Sequence, residues 1–93
     1  MSTDSVQARG RVLVVDDEPT IGDVVSRYLR RAGYQTHVAL TGHDALEWAF
    51  RERPDVIVLD LMLPDTDGLE VMRRLRRREP LRTAFILLTA RGE

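Results

Sequence analysis

Two short, unbroken apolar runs, each stopped abruptly by aspartate, constrain the fold of this chain most strongly. Residues 12–15 read Val-Leu-Val-Val before Asp16 and Asp17, and residues 56–59 read Val-Ile-Val-Leu before Asp60. A run of this length and composition is typical of a strand that is buried on both faces of a sheet. Both runs therefore predict central strands whose carboxyl ends open directly into acidic loops.

The segment after the first run changes to helical periodicity. Six apolar residues there recur at i, i+3, i+4, i+7, i+8 and i+11 and form one helical stripe: Ile21, Val24, Val25, Tyr28, Leu29 and Ala32. A second helix is predicted between Thr41 and Pro54, and a third begins where residues 67–70, Asp-Gly-Leu-Glu, resemble a capping box.

Two further strands complete the predicted pattern. Residues 34–39 alternate in polarity, as an edge strand does, and residues 84–88 form another buried-type apolar run. Strands that alternate with helices through short loops predict an α/β fold with a doubly wound parallel sheet and right-handed crossovers. We expect residues 1–10 to be a flexible lead-in and residues 11–93 to form a single domain.

Composition excludes several classes of function. The 93 residues carry 14 basic residues, all arginine, against 15 acidic residues, so the net charge of −1 provides no overall field for nucleic acid or a membrane surface. The arginine-rich third helix is best interpreted as a solvated face balanced by Glu70 and Glu79. The chain has no cysteine, no signal peptide and no apolar run of membrane-spanning length, which predicts a cytoplasmic protein.

The acidic residues at the strand ends indicate the chemistry. If the first and third strands are neighbours, Asp16, Asp17 and Asp60 converge, and two carboxylates about 4 Å apart repel by roughly 4 kcal/mol at an effective dielectric near 20. A hard dication offsets that repulsion, and an all-oxygen ligand set is the pattern of Mg²⁺. A carboxylate beside such an ion is positioned to attack phosphorus, and the Thr89 hydroxyl could hydrogen-bond the resulting aspartyl phosphate.

Three blocks together resemble the receiver domain of bacterial two-component response regulators. They are residues 12–18 (VLVVDDE), residues 60–68 (DLMLPDTDG) and residues 87–90 (LLTA), in family order and spacing. The resemblance covers residues 11–91 and implies a flavodoxin-like receiver fold that lacks the last helix, strand and helix.

The resemblance also implies a role for each site residue. Asp60 would be the phosphoacceptor, Asp17 a direct Mg²⁺ ligand, Asp16 a ligand acting through water, Met62 a ligand through its backbone carbonyl and Thr89 the switch hydroxyl. The phosphoryl group would come from a sensor histidine kinase, and the domain would catalyse only its own phosphorylation and dephosphorylation. It would not otherwise be an enzyme.

The end of the chain departs from the family pattern. A complete receiver would continue with a helix, a strand that ends in a lysine-proline pair, and a final helix, whereas this chain has no lysine and stops at Glu93. We therefore expect a truncated domain whose strand at 84–88 is an exposed edge, open to homodimerisation or segment exchange. The residue pattern at 63–70 most resembles that of response regulators with a winged-helix DNA-binding domain. DNA would then be bound by an absent output domain and not by this segment.

Two alternatives remain open. A phosphatase with an aspartyl nucleophile is the first, but its pattern has a second aspartate two residues after the first, where this chain has Met62. A phosphate-independent interaction or dimerisation module is the second, and the missing lysine is the feature that favours it. Phosphorylation of Asp60 would distinguish the switch from the interaction module.

Overall fold

The fold alternates strands with helices along the whole described chain. A computed structural model describes residues 9–78 and 83–88. The strands are β1 (Arg11–Val15), β2 (Gln35–Ala39), β3 (Val56–Asp60) and β4 (Ala84–Leu88), and the helices are α1 (Pro19–Arg31), α2 (Gly42–Glu52) and α3 (Gly68–Arg78). Within these ranges, no helix has the length and apolarity that crossing a membrane requires.

The strands form one parallel sheet in the order β2-β1-β3-β4, which confirms the predicted doubly wound architecture. The chain order reverses between β1 and β3, which are direct neighbours with Val15 opposite Leu59. Acidic residues at the ends of these two strands are therefore brought to the same point of the sheet edge. In open α/β sheets, this switch point is where ligands bind.

The predicted lead-in is described only at its end, because residues 1–8 lie outside the described ranges. Arg9 and Gly10 already take part in the fold: the Arg9 backbone N–H donates to the Gly33 carbonyl at 2.8 Å, and the Gly10 carbonyl accepts from the Gln35 N–H at 2.9 Å. Both hydrogen bonds extend the pairing of β1 with β2 beyond its first residue.

One face of the sheet is covered by α2 and α3 and contains the larger core. Its strand residues Leu13, Val15 and Leu59 are fully buried, and Val71 of α3 is equally inaccessible. Burying one such side chain contributes roughly 1.5–3 kcal/mol relative to leaving it in water. This face therefore supplies most of the hydrophobic stabilisation.

Among the described residues, α1 is the helix that covers the other face, and the side that α1 turns to the sheet differs from the prediction. Val25 and Leu29 pack on this face as expected, but Ile21, Val24 and Tyr28 are 44%, 44% and 66% exposed. The predicted apolar stripe is thus only partly buried, and three of its six members, Tyr28 most of all, are largely exposed to solvent.

Small residues explain this orientation of α1. Gly22 and Ser26 are buried on the side of α1 that meets the sheet. A Cβ atom at Gly22 would lie 2.9 Å from Cγ1 of Val38. The glycine therefore lets the helix approach β2 closely, and that approach turns part of the stripe towards solvent.

Strand β4 lies at one edge of the sheet and is less buried than its apolar sequence predicts. Ile86 is 52% exposed and Leu87 is 39% exposed, while Phe85 and Leu88 are half-buried. In the part of the chain that the structure describes, β4 pairs with β3 alone. An apolar run thus predicted the strand correctly but overestimated its burial.

Candidate functional site

The structure brings three of the predicted site residues together at the switch point. Asp16 and Asp17 directly follow β1, and Asp60 is the last residue of β3. One carboxylate oxygen from each of the three lies within 4.8 Å of the others. Parallel pairing of β1 with β3 produces this cluster, because it places both carboxyl ends at the same edge.

Asp16 is the buried member of the cluster, with 5% of its surface exposed. Its Oδ1 accepts a hydrogen bond from the Glu18 backbone N–H at 2.9 Å, and its own N–H donates to the Ala39 carbonyl at 3.1 Å. Burial raises the pKa of Asp16, and the nearby charges of Asp60 and Asp17 raise it further, although the Glu18 N–H opposes them. The site therefore favours a positive charge beside Asp16.

Asp60 is half-buried, and one of its two oxygens is held in place. Oδ1 accepts from the Met62 backbone N–H at 3.0 Å, whereas Oδ2 has no hydrogen-bond partner within residues 9–78 and 83–88. Asp17 is exposed beside it. This geometry presents one oriented carboxylate oxygen to a ligand that approaches from solvent.

The loop after Asp60 is held close to the site by backbone contacts. Met62 forms an isolated antiparallel bridge with Asp67, and its side chain is 62% exposed. The Gly68 N–H donates to the Leu61 carbonyl at 3.0 Å, which closes the loop at the start of α3. A Cβ atom at Gly68 would collide with the Asp60 carbonyl oxygen and lie 2.8 Å from Cα of Leu61. Only glycine fits there without moving the backbone of Asp60.

The start of α3 confirms half of the predicted capping box. Asp67 Oδ1 accepts from the Leu69 N–H at 2.9 Å, as a capping side chain does. The Glu70 carboxylate instead pairs with Arg73 at 3.5 Å and Arg74 at 3.1 Å.

Asp65 is a site-loop residue that the sequence did not single out. Its Oδ1 accepts from the Gly42 N–H at 2.8 Å and its Oδ2 from the His43 N–H at 2.9 Å, across 23 and 22 residues of chain. These bonds lower the pKa of Asp65, and the one from Gly42 contributes most. The carboxylate thus fastens the loop after Asp60 to the N-terminus of α2, which we call the Asp65 clamp.

The sequence contained only part of the signal for this clamp. Thr41 and Gly42 were recognised as a helix start, and Thr41 Oγ1 indeed accepts from the Asp44 N–H at 3.1 Å. No local pattern links that start to Asp65, because the two segments meet only in three dimensions.

The structure gives less information about two of the predicted site residues, Thr89 and Met62. Thr89 lies outside the described residues, so its role as the switch hydroxyl stays a prediction; the preceding residue, Leu88, pairs with Asp60. Met62 was predicted to act through its backbone carbonyl, and this stays a prediction, because its contact with Asp60 is made by the N–H of the preceding peptide unit.

The donor set fits a hard divalent cation. Three carboxylates supply oxygen ligands only, and one of them is desolvated next to two like charges. Mg²⁺ prefers oxygen ligands and is commonly bound by one or two carboxylates with retained waters. The chemistry of the residues is therefore consistent with a magnesium site.

An acidic cluster at the switch point of a doubly wound sheet, with a glycine-closed loop behind it, defines a class of small ligand-binding α/β domains. Within that class the chain belongs to the response regulator receiver domain family, whose model matches residues 12–93. This confirms the resemblance seen in the sequence. Members of this family are phosphorylation-based signalling modules of two-component systems.

Solved structures agree with this assignment. The signal receiver domain of a putative Luxo repressor protein from Vibrio parahaemolyticus is 33% identical with a TM-score of 0.83, and the match covers 91% of this chain and 65% of that one. The response regulator TrrA from Thermotoga maritima, in complex with Mg²⁺-BeF, is 38% identical with a TM-score of 0.81, covering 88% and 70%.

The BeF3-activated receiver domain of Klebsiella pneumoniae RstA is a third relative, 32% identical with a TM-score of 0.80 and coverage of 89% and 69%. The present chain thus spans about two thirds of the length of these structures.

Proposed function

We propose that this domain is a phosphorylation switch in which Asp60 accepts a phosphoryl group in a Mg²⁺-dependent reaction. The observation that carries the proposal is the meeting of Asp16, Asp17 and Asp60 within 4.8 Å at the switch point. Membership of the receiver family supports phosphorylation as the chemistry. The Mg²⁺-BeF complex of TrrA supports the choice of ion, because that relative is 38% identical to this chain.

Asp60 is the best-placed nucleophile of the three aspartates. Its Oδ1 is held by the Met62 N–H, so Oδ2 is presented in one orientation. In the reaction, Oδ2 forms a bond to phosphorus while the bond from phosphorus to the donor breaks, and the leaving group departs with the electron pair. Asp16 is buried and Asp17 is exposed, so Asp60 alone combines an oriented oxygen with access from solvent.

Asp16, Asp17, Asp60 and the Met62 backbone carbonyl are the groups that would hold the ion. When bound, Mg²⁺ would neutralise charge on the transferring phosphoryl oxygens. Burial raises the pKa of Asp16, and the neighbouring charges of Asp60 and Asp17 raise it further, which supports uptake of a cation that would offset both effects. Thr89 is proposed as the hydroxyl that hydrogen-bonds the phosphoryl group on Asp60.

The test is incubation of the chain with acetyl phosphate and Mg²⁺, followed by intact-mass measurement. We expect a phosphoryl mass gain that hydroxylamine removes, because an acyl phosphate is sensitive to this nucleophile. The gain should vanish in Asp60→Asn and in samples with a chelator. Asp55→Asn is the matched control, since Asp55 precedes β3 at the opposite end of the sheet and bonds the Arg11 N–H.

A mass gain that persists in Asp60→Asn would overturn the assignment of the phosphoacceptor. Binding of the phosphoryl analogue BeF3⁻ with Mg²⁺ provides a second readout that does not require turnover. Chemical-shift changes confined to Asp60 and its loop support the proposal, and changes elsewhere only would contradict it.

The partner and output follow from the proposed switch. We propose a phosphohistidine on a sensor histidine kinase as the donor, and control of transcription through an output domain of the winged-helix type. The cytoplasm is the compartment in which such a kinase and DNA are both accessible. Met62, which stands where an aspartyl phosphatase would carry its second aspartate, supports a switch over a hydrolase.

Edge strand β4 favours a second candidate, an interaction module that associates through this strand. Ile86 and Leu87 are exposed, and β4 has a free edge in the described part of the chain. Exposed apolar edges favour pairing with a second copy. Light scattering should then give a dimer mass that Ile86→Lys reduces to a monomer, whereas a concentration-independent monomer mass in the parent chain would contradict association.

A further inference from the structure

The exposed side of α3 carries a concentration of arginine that the proposed switch does not use. A groove of about 410 Å³ lies between α2 and α3, and among the described residues it is lined by Leu46, Phe50, Arg74, Arg77 and Arg78. We call this surface the arginine groove. Its floor is apolar, since Leu46 and Phe50 are half-buried against the core.

The positive charge of this surface is only partly neutralised. Glu70 pairs with Arg73 and Arg74. Within residues 9–78 and 83–88, no carboxylate forms an ion pair with Arg76, Arg77 or Arg78. Hence an excess of guanidinium groups lies along one helix, although the whole chain is nearly neutral.

One guanidinium group of the groove is already held in place by an aromatic ring. The Arg78 guanidinium carbon lies 4.5 Å from the Phe50 ring centroid, and outside the groove that of Arg76 lies 5.1 Å from the Phe85 centroid on β4. A cation–π contact uses the face of the guanidinium plane, so its N–H edge stays able to donate to a carboxylate. This arrangement reduces the conformational entropy that a partner must overcome on binding.

We propose that the arginine groove docks an acidic segment of a partner protein, in which carboxylates flank one apolar side chain. The apolar side chain would pack against Leu46 and against the part of Phe50 that lines the groove beside Arg78, while carboxylates pair with Arg77 and Arg78 at the rim. Charge complementarity and the apolar floor together select this occupant over a purely electrostatic one. The proposal does not depend on phosphorylation of Asp60.

Other polyanions fit the groove less well. Nucleic acid would gain from aromatic side chains that stack with bases, but the Phe50 ring is already occupied by Arg78. A membrane surface would require several apolar side chains to insert, and this groove offers two that are half-buried.

The experiment titrates the full chain with a fluorescent synthetic peptide of glutamates that flank a single leucine. A matched peptide with serine in place of leucine reports the contribution of the apolar floor, and a single-stranded oligonucleotide of equal charge tests the nucleic-acid alternative. We expect saturable binding of the leucine peptide, with amide shift changes in α2 and α3 and affinity that falls as salt is raised.

Arg77→Glu should weaken binding of the leucine peptide by about tenfold, as loss of an anchoring arginine does at an interface. Arg31→Glu on α1 is the matched control and should leave affinity unchanged. Arg77→Gln provides a milder variant if charge reversal perturbs folding, and circular dichroism verifies the helices of each variant.

Equal affinity for the leucine and serine peptides, tighter binding of the oligonucleotide, or equal losses in Arg77→Glu and Arg31→Glu would each overturn the proposal. Absence of saturable binding at low salt would overturn it as well. Every variant retains Asp60, so phosphorylation by acetyl phosphate is measured in parallel. A failure of the proposed phosphorylation is thereby distinguished from a failure of peptide binding.

Discussion

The two faces of the sheet differ in how completely they are covered. On the α2–α3 face, Leu59 and Val71 are fully buried under two helices. On the α1 face, one helix covers the described sheet: Val14 on the central strand β1 is fully buried, but Ile86 on the edge strand β4 is more exposed than buried. The comparison shows that apolar composition alone does not measure burial, because an apolar residue stays exposed where no described helix covers its strand.

The N-termini of the helices on the two faces also differ, in the side-chain hydrogen bonds that cap them. Helix α2 is capped by Thr41 through the Asp44 N–H and by the Asp65 clamp. Helix α1 begins at Pro19 after Glu18, whose side chain makes no capping hydrogen bond. The α2–α3 side is thus fixed by both packing and capping, and it carries the loop that follows Asp60.

The largest expected effect tests the packing of the two faces. Leu59→Ala should lower the free energy of unfolding by about 2–5 kcal/mol, because it removes a fully buried side chain and leaves a cavity. Ile86→Ala on the α1 face should cost below about 1 kcal/mol, since Ile86 is 52% exposed. Urea denaturation measures both values, and equal losses would contradict the comparison.

Alanine substitutions at two glycines test whether the segments that lie close to them on the two faces can move apart equally easily. Gly68→Ala should destabilise the domain by about 1–3 kcal/mol, because its Cβ meets the backbone of Asp60 and Leu61. Gly22→Ala meets only the Val38 side chain, and alanine favours a helix by about 1 kcal/mol, so this change should be nearly neutral.

Thermal or urea unfolding of both variants checks this second expectation. Gly68→Ala should also weaken Mg²⁺ binding, because the displaced backbone belongs to the proposed phosphoacceptor. A stable Gly68→Ala variant with unaltered Mg²⁺ affinity would show that the loop adjusts freely.

The Asp65 clamp gives an intermediate effect with a defined pH dependence. Asp65→Asn should cost about 1 kcal/mol at pH 7, the typical net value of one hydrogen bond, because the asparagine NH2 group cannot accept from one of the two backbone N–H groups. The pKa of Asp65 is lowered in the folded state, so its contribution is complete above the ordinary value of 3.8 and is lost as pH falls through the lower folded value. The difference in the free energy of unfolding between the parent chain and Asp65→Asn should therefore disappear at acidic pH.

Asp44→Asn is the control for this clamp, because Asp44 lies in the first turn of the same helix but its carboxylate forms no hydrogen bond with a described residue. We expect it to cost less than Asp65→Asn at pH 7. Losses of equal size would mean that both carboxylates stabilise α2 through its helix dipole alone, and that the hydrogen bonds of Asp65 add nothing.

The smallest expected effect is an increase in the free energy of unfolding when Asp16 is replaced. The pKa of Asp16 is raised in the folded state, so stability falls as pH rises from 3.8 through the raised value, and the ionised carboxylate opposes folding above it. Asp16→Asn keeps an acceptor for the Glu18 N–H and should be more stable than the parent chain at pH 7 without Mg²⁺. Denaturant titrations with and without Mg²⁺ check this, since the ion should stabilise the parent chain more than the variant.

Much of the fold was predictable because its signals are local. The runs at 12–15 and 56–59 predicted β1 and β3, and helical periodicity predicted α1, with Pro19 at its start and Gly33 just beyond its end. Parallel pairing followed from the alternation of strands and helices, and it placed Asp16 and Asp60 at one edge. The orientation of α1 was not predictable, because it depends on the contact of Gly22 with Val38.

By itself, the sequence determined the order of strands and helices and the positions of Asp16, Asp17 and Asp60 at strand ends, because periodicity and chain breaks act over a few neighbouring residues. Only the tertiary structure decided that Asp65 caps a helix 22 residues earlier and that guanidinium groups of α3 rest on Phe50 and Phe85. These contacts join segments that meet after the sheet has formed, so their geometry follows from packing and not from any local pattern.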